Sequence, residues 1–78
     1  MSIAKDSGIL ANRIRTIRNS KGWTQLRLAG EVNVHPTYIS RIESCKKLPT
    51  FYMISRIAEA LEVDTYELLL YDEKLSSS

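Results

Sequence analysis

The chain has 78 residues, 44% of them hydrophobic, and a net charge of +2, which together predict one small globular domain with a single core. The hydrophobic fraction is too high for a disordered chain, and no apolar run approaches the roughly 20 residues that span a bilayer. A single cysteine (Cys45) excludes an internal disulfide, and residues 1–8 lack the apolar stretch of a signal peptide, so we expect a cytoplasmic protein with no membrane partner.

Charge is distributed unevenly along the chain. Residues 1–50 contain nine Lys and Arg against three Asp and Glu, a net +6, whereas residues 51–78 contain two against six, a net −4. This asymmetry predicts one face for a polyanion and another face for a different partner. The alternative is a chance imbalance, with the charges spread around the surface.

The first helix is predicted to begin near Asp6 or Ser7 and to run to Lys21, where Gly22 supplies a left-handed stop. Helical periodicity continues through the rest of the chain without an alternating strand pattern. The apolar residues of this first helix recur at i, i+4 and i+7. They are Leu10, Ile14 and Ile17.

The next two helices are predicted to be short and joined by a tight turn. Thr24 is a favourable N-cap for the second, and Asn33 tolerates the positive φ that the turn requires. Pro36 suits the first position of the third helix, since its missing N–H would have no partner there. The inward residues of this pair are Leu28, Ala29, Val32, Val34, Ile39 and Ile42.

Two more helices follow a basic loop over residues 44–49. Thr50 caps the fourth helix, and Asp64 caps the fifth with Glu67 completing a capping box. The chain is therefore predicted to be all-α, with five short helices around one core. The predicted buried stripe of the fourth helix is Phe51, Ile54, Ile57, Ala58 and Leu61.

The third helix carries side chains suited to base edges in a DNA major groove. Arg41 can donate two hydrogen bonds to guanine, worth about 1–3 kcal/mol of discrimination, and Thr37 can contact thymine. An ordinary solvated face would suit Thr37 equally well, but it would suit an exposed tyrosine beside an arginine less well. The predicted base-contacting residues are Pro36, Thr37, Tyr38, Ser40 and Arg41.

Phosphate contacts are expected from helix N-termini and from flanking cations. His35 has two possible roles, either capping the third helix or touching a phosphate. A solvated helix face is the alternative for the cations of the first helix. The predicted phosphate-binding residues are Gln25, Arg27, His35, Lys46, Lys47 and Arg13.

The sequence offers no support for an enzyme. His35 has no second ligand at metal-binding spacing, and Ser40 lies in no nucleophile motif with an oriented acid. Cys45 beside Lys46 and Lys47 is either a redox-sensitive thiol or an ordinary surface cysteine. We therefore expect no catalytic residue, metal, cofactor or small-molecule substrate.

Several motifs together resemble the phage-repressor-like (XRE-type) helix-turn-helix family over about residues 9–70, and residues 37–43 are similar to controller proteins of restriction–modification systems. The resemblance implies a compact, lambda-repressor-like domain that binds a palindromic DNA operator as a homodimer and regulates transcription. It also implies a structural ion pair between Arg18 and Glu43. The motifs are Gly22-Trp-Thr-Gln25, Leu28-Ala29, Tyr38-Ile-Ser40, Ile42-Glu43, Pro49 and Ile57-Ala-x-Ala-Leu61.

The chain also departs from the family's pattern. Leu26 and Arg27 replace the acidic residues usual after Thr-Gln. Asn33 and Cys45 stand where relatives carry glycine, before and after the third helix. Pro36 replaces a polar base-contacting residue, so we expect it to contribute shape and thymine contact.

The acidic C-terminal part has more apolar side chains than one small core can bury, and such a patch usually marks a partner surface. We expect a two-fold dimer through Tyr52, Leu69, Leu70 and Tyr71, unless the tail folds back over the patch within one monomer. An antitoxin-like module that binds another protein through this face is the alternative function. The predicted organisation is an extension at 1–8, a DNA-binding and dimerisation domain at 9–71, and a frayed tail at 72–78.

Overall fold

The computed structural model describes the backbone of residues 3–69 and the side chains of residues 8–69, and within this part of the chain every regular element is helical. No helix in that part is long and apolar enough to cross a membrane. The five helices are α1 (Ile3–Ser20), α2 (Gln25–Val32), α3 (Pro36–Glu43), α4 (Phe51–Leu61) and α5 (Thr65–Leu69).

Local capping sets the helix boundaries, largely as the sequence predicts. The Thr24 hydroxyl accepts the Arg27 amide at 3.0 Å, and the Thr50 hydroxyl accepts the Met53 amide at 3.2 Å. Gly22 has a φ of +74° after α1, and Asn33 has a φ of +59° after α2. These left-handed residues stop each helix and let the chain reverse.

The core lies where α2 packs against α3 and α4, while α1 packs against α3 and α5. Ala29 is 1% exposed, and its small side chain permits the close approach of α2 to its neighbours. Ile17, Val34 and Val63 pack around the core and are partly buried. The fully buried large side chains are Ile14, Leu28, Val32, Ile39, Ile42, Ile57, Leu61 and Leu68.

Three details differ from the sequence-based expectations. Helix α1 begins at Ile3 rather than near Asp6. Phe51 is 66% exposed, because it is the first residue of α4 and the core begins one turn later at Ile54. At α5, the Glu67 carboxylate accepts the Asp64 amide at 3.2 Å, which is one half of the predicted capping box.

Candidate nucleic-acid interface

A tight turn positions α3 across the end of α2. The Val34 amide donates to the Ala29 carbonyl at 3.0 Å, which closes the turn behind Asn33. His35 is the N-cap of α3, and its Nδ1 accepts the Thr37 amide at 3.1 Å. An acceptor Nδ1 leaves the ring proton of a neutral histidine on Nε2, so His35 caps the helix and keeps a donor for an outside group.

The outer face of α3 presents Thr37, Ser40 and Arg41, all of which are exposed. Pro36, at the start of the helix, is half-buried. Ile39 and Ile42 face the core on the opposite side. The helix therefore has one anchored side and one polar side that is open to a ligand.

Tyr38 lies at the margin between these two sides and is less exposed than the sequence suggests. It is half-buried against the core, because it precedes Ile42 by four residues and shares that residue's face of the helix. The Lys47 ammonium lies 5.8 Å from the centre of its ring. A tyrosine hydroxyl is protonated at neutral pH and can donate, and desolvation by burial raises the pKa of the Tyr38 phenol further above its ordinary value.

The loop after α3 is held at both of its ends. The Lys46 amide donates to the Arg41 carbonyl at 2.8 Å, and Cys45 has a φ of +64°, an arrangement typical of a helix C-terminal motif. Pro49 is buried just before the Thr50 cap. Lys46 is exposed, and its backbone is bonded to the last turn of α3.

A buried ion pair joins α1 to the end of α3. Arg18 Nε donates to Glu43 Oε2 at 2.7 Å, and Arg18 Nη2 donates to Glu43 Oε1 at 2.9 Å. The Arg18 and Glu43 side chains are 9% and 3% exposed. Arg18 Nη1 also donates to the Trp23 carbonyl at 2.7 Å, so one guanidinium holds both the turn before α2 and the last residue of α3.

Two further side chains converge on Glu43. Gln25 Nε2 donates to Glu43 Oε1 at 3.1 Å, and Arg15 Nη1 donates to the Glu43 backbone carbonyl at 3.0 Å. Arg15 thereby places a cation at the C-terminus of α3, where the helix dipole favours one. We call Arg15, Arg18, Gln25 and Glu43 the Glu43 clamp. The sequence offered no signal for the Gln25 contact, because it joins residues 18 positions apart.

The predicted phosphate-binding residues divide into engaged and open side chains. Arg27 pairs with Glu31 at 3.0 Å and lies 4.4 Å from the centre of the Trp23 ring. Arg13 is half-buried and takes part in an intramolecular interaction. Lys46 and Lys47 are exposed in the loop that follows α3.

The N-terminus of α2 offers backbone donors beside these cations. Thr24 satisfies the amide of Arg27, the third residue of the helix. The amides of Gln25 and Leu26 have no hydrogen-bond partner among residues 3–69. They form the positive end of the helix dipole and can accept an anion such as a phosphate.

An apolar groove of about 350 Å³ lies on another part of the surface, between α1, α5 and the loop before α4. Leu69 on its edge is 41% exposed, and Tyr52 on α4 is 68% exposed, so both predicted interface side chains are accessible. Leu70 and Tyr71 lie outside the described residues. The groove is lined by Ile9, Leu10, Leu48, Pro49, Ile54, Leu68 and Leu69.

Known proteins share both the sequence and the architecture of this domain. The helix-turn-helix family model HTH_3 matches residues 14–68. A hypothetical transcription factor of Neisseria meningitidis is 37% identical over 62 residues, which cover 80% of this chain and 58% of that protein. The crystal structure of a hypothetical transcription factor from Neisseria superposes with a TM-score of 0.85 at 31% identity, over 99% of this chain and 90% of the crystallised one.

Restriction–modification controller proteins are also structural neighbours. C.AhdI from Aeromonas hydrophila has a TM-score of 0.79 and 26% identity, over 82% of this chain and 97% of its own. C.Esp1396I, crystallised as a tetramer with its natural 35 base-pair operator, has a TM-score of 0.75 and 33% identity, over 88% of this chain and 92% of its own.

Among the described residues, no group of three or more His, Cys, Asp or Glu side chains is arranged to hold a metal ion. The matched region includes the turn, the outer face of α3 and the whole Glu43 clamp. The chain therefore belongs to the helix-turn-helix family of the XRE type.

Proposed function

We propose that this chain is a sequence-specific, cytoplasmic transcription regulator that binds a palindromic operator as a homodimer. One observation carries the proposal: α3 exposes Thr37, Ser40 and Arg41 on a helix whose opposite side is buried and whose end is clamped. A helix held this rigidly can present hydrogen-bonding groups to base edges without first ordering itself.

In this proposal, Arg41 contacts guanine and Thr37 contacts an adjacent base, while Ser40 adds an adaptable hydroxyl. Tyr38 and Pro36 contribute at the margin of the helix, since both are half-buried. These are the base-contacting roles that the sequence predicts, except that the half-buried Tyr38 lies at the edge of the exposed face of α3.

Phosphates are bound on both sides of α3. On one side, the open amides of Gln25 and Leu26 receive a phosphate at the N-terminus of α2. On the other side, Lys46 supplies an exposed cation from the loop. His35, through Nε2, and Lys47, from above Tyr38, add further donors. Arg27 and Arg13 can contribute only by sharing or exchanging their present partners.

The dimer forms through the apolar groove, where Leu69 is exposed, and through the exposed Tyr52 of α4. A two-fold axis through this surface would place two copies of α3 about 34 Å apart, one turn of DNA. The C.Esp1396I neighbour, crystallised as a tetramer on its operator, supports an oligomeric mode of binding. Domain limits of 9–71 for binding and dimerisation form part of the same proposal.

Selection of bound sites from random duplex DNA tests this function. We expect enrichment of an inverted repeat whose half-sites are centred about 10 base pairs apart. The matched control is the same selection with Arg41→Ala, which should lose information at one base pair in each half-site. Absence of any enriched sequence would contradict specific binding, and a single asymmetric site would contradict the homodimer.

A further inference from the structure

Gln25 connects two parts of the interface that otherwise lie on different helices. It is the first residue of α2, where the backbone amides are open to a phosphate. Its side chain reaches the last residue of α3, where Nε2 donates to Glu43 Oε1 at 3.1 Å. One residue therefore touches both a predicted phosphate site and the end of the helix that contacts bases.

The hydrogen bond from the neutral Gln25 side chain orients the Glu43 carboxylate and does not neutralise its charge. Arg18 already donates to both oxygens of the Glu43 carboxylate and neutralises it. The amide of Gln25 adds a second donor to Oε1 from a different helix. Without that amide the carboxylate would keep its ion pair, but the last residue of α3 would lose the one side-chain bond that joins it to α2 among the described residues.

Helix α3 has only eight residues and is about 12 Å long, so a shift at its end moves the base-contacting side chains as well. Hydrogen bonds and contacts to bases weaken steeply when their geometry changes. Phosphate contacts by flexible lysines tolerate the same shift, because an ammonium acts as a point charge on a long stem. The end of α3 thus affects specific binding more than nonspecific binding.

We propose that Gln25 is a positioning residue that ties the end of α3 to α2 and thereby sets the placement of the base-contacting side chains. The inference rests on the proposed function and deepens it, since it assigns sequence discrimination to a residue that touches no base. The Gln25 side chain carries the position of the first turn of α2 to Glu43, the last residue of α3.

A Gln25→Met variant tests this role, because methionine keeps the length and unbranched stem of glutamine and removes only the donor. Affinities of the full chain are measured at one salt concentration for the selected operator and for an unrelated duplex of equal length. We expect a loss of about tenfold on the operator, equivalent to one hydrogen bond to a charged group, and less than about twofold on the unrelated duplex.

Two variants serve as matched controls. Lys46→Ala removes a predicted phosphate contact outside the clamp, so its losses should be similar on both duplexes. Gln25→Lys retains a donor that can reach Glu43, so the ratio of the two affinities should stay near that of the unaltered chain even if the added charge raises both. Thermal unfolding of each variant verifies that the domain is folded.

Equal losses on the two duplexes with Gln25→Met would show a phosphate contact alone and overturn the proposal. No loss on either duplex would overturn it as well. A fall in the ratio of operator affinity to unrelated-duplex affinity in Gln25→Lys would also count against the proposal, since that variant keeps the donor. If the unaltered chain preferred no sequence at all, the proposed function itself would fail, which is a separate and recognisable result.

Discussion

The end of α3 and the apolar groove are held by different kinds of interaction, and each suits its task. At the end of α3, Arg18 and Glu43 are the buried charged residues of the described part, and their bonds are short and directional. At the groove, Leu48 and Leu69 offer exposed apolar surface, which favours burial but sets no particular orientation. Directional bonds fix the orientation of a helix, whereas apolar area favours association with a partner surface.

Exposure separates the two regions further. The clamp excludes water from Glu43, so its loss affects the folded chain itself. Two side chains of the groove lining are open to solvent, Leu48 at 51% and Leu69 at 41% exposed, so changes there act on association and leave the fold largely intact. The first region should therefore respond in stability experiments and the second in measurements of oligomeric state.

The largest expected effect is on stability, from Arg18→Ala. Removing the guanidinium leaves the Glu43 carboxylate buried and short of its counter-charge, which should lower the free energy of unfolding by about 3–5 kcal/mol. Urea denaturation measures it. The matched control is Lys21→Ala, which breaks a pair with the exposed Glu62 and should cost at most about 1 kcal/mol. Equal losses in the two variants would contradict the clamp.

In the apolar groove, Leu69→Glu should prevent the proposed dimer from forming. A carboxylate at the edge of the groove would be desolvated in a dimer, and we expect a loss of association of at least about 2 kcal/mol, with little change in monomer stability. Analytical ultracentrifugation across a concentration series measures it. Tyr66→Glu, on the same helix but outside the groove lining, is the control and should leave the dimer intact. A dimer in both variants would place the interface elsewhere.

Arg41→Ala sharpens the comparison within the DNA-binding face. The side chain is exposed and should donate to one guanine, so its loss should reduce discrimination at one base pair per half-site by about 1–3 kcal/mol. Binding to a set of operators with single base changes measures this. Unchanged preference at every position would remove Arg41 from the base-contacting residues. Unfolding should be unaffected, unlike that of Arg18→Ala.

The smallest effect is expected from Lys46→Ala. If Lys46 makes one phosphate contact, binding to all sequences should weaken alike, and the slope of log affinity against log salt should decrease in magnitude by about one. Titrations over several salt concentrations measure the slope. A change confined to one operator sequence would instead indicate a base contact.

Local signals in the sequence predicted the helix boundaries well. Thr24, Thr50 and Pro36 stand where the structure places the caps and the first turn, because a cap depends on residues only two or three positions away. Asn33 marks the turn for the same reason, since its left-handed backbone is a local property. These elements position α3, so the placement of its exposed outer face could be predicted.

Side chains at the margins of a stripe were harder to predict. Phe51 continues the apolar spacing of α4 but lies beyond the edge of the core, and Tyr38 belongs partly to the buried face of α3. Periodicity gives the direction of a side chain from its own helix and carries no information on where the neighbouring helices end. Both misjudgements come from that limit.

By itself, the sequence determined the five helices, the turn between α2 and α3, and the polar side of α3, since these follow from capping and periodicity along a single segment. Resemblance to a family pointed to the Arg18–Glu43 pair. Only the tertiary structure decided that Gln25 and Arg15 also converge on Glu43, because those contacts join residues 18 and 28 positions apart. Which distant side chains meet depends on how whole helices cross, and that is settled by packing of the complete core.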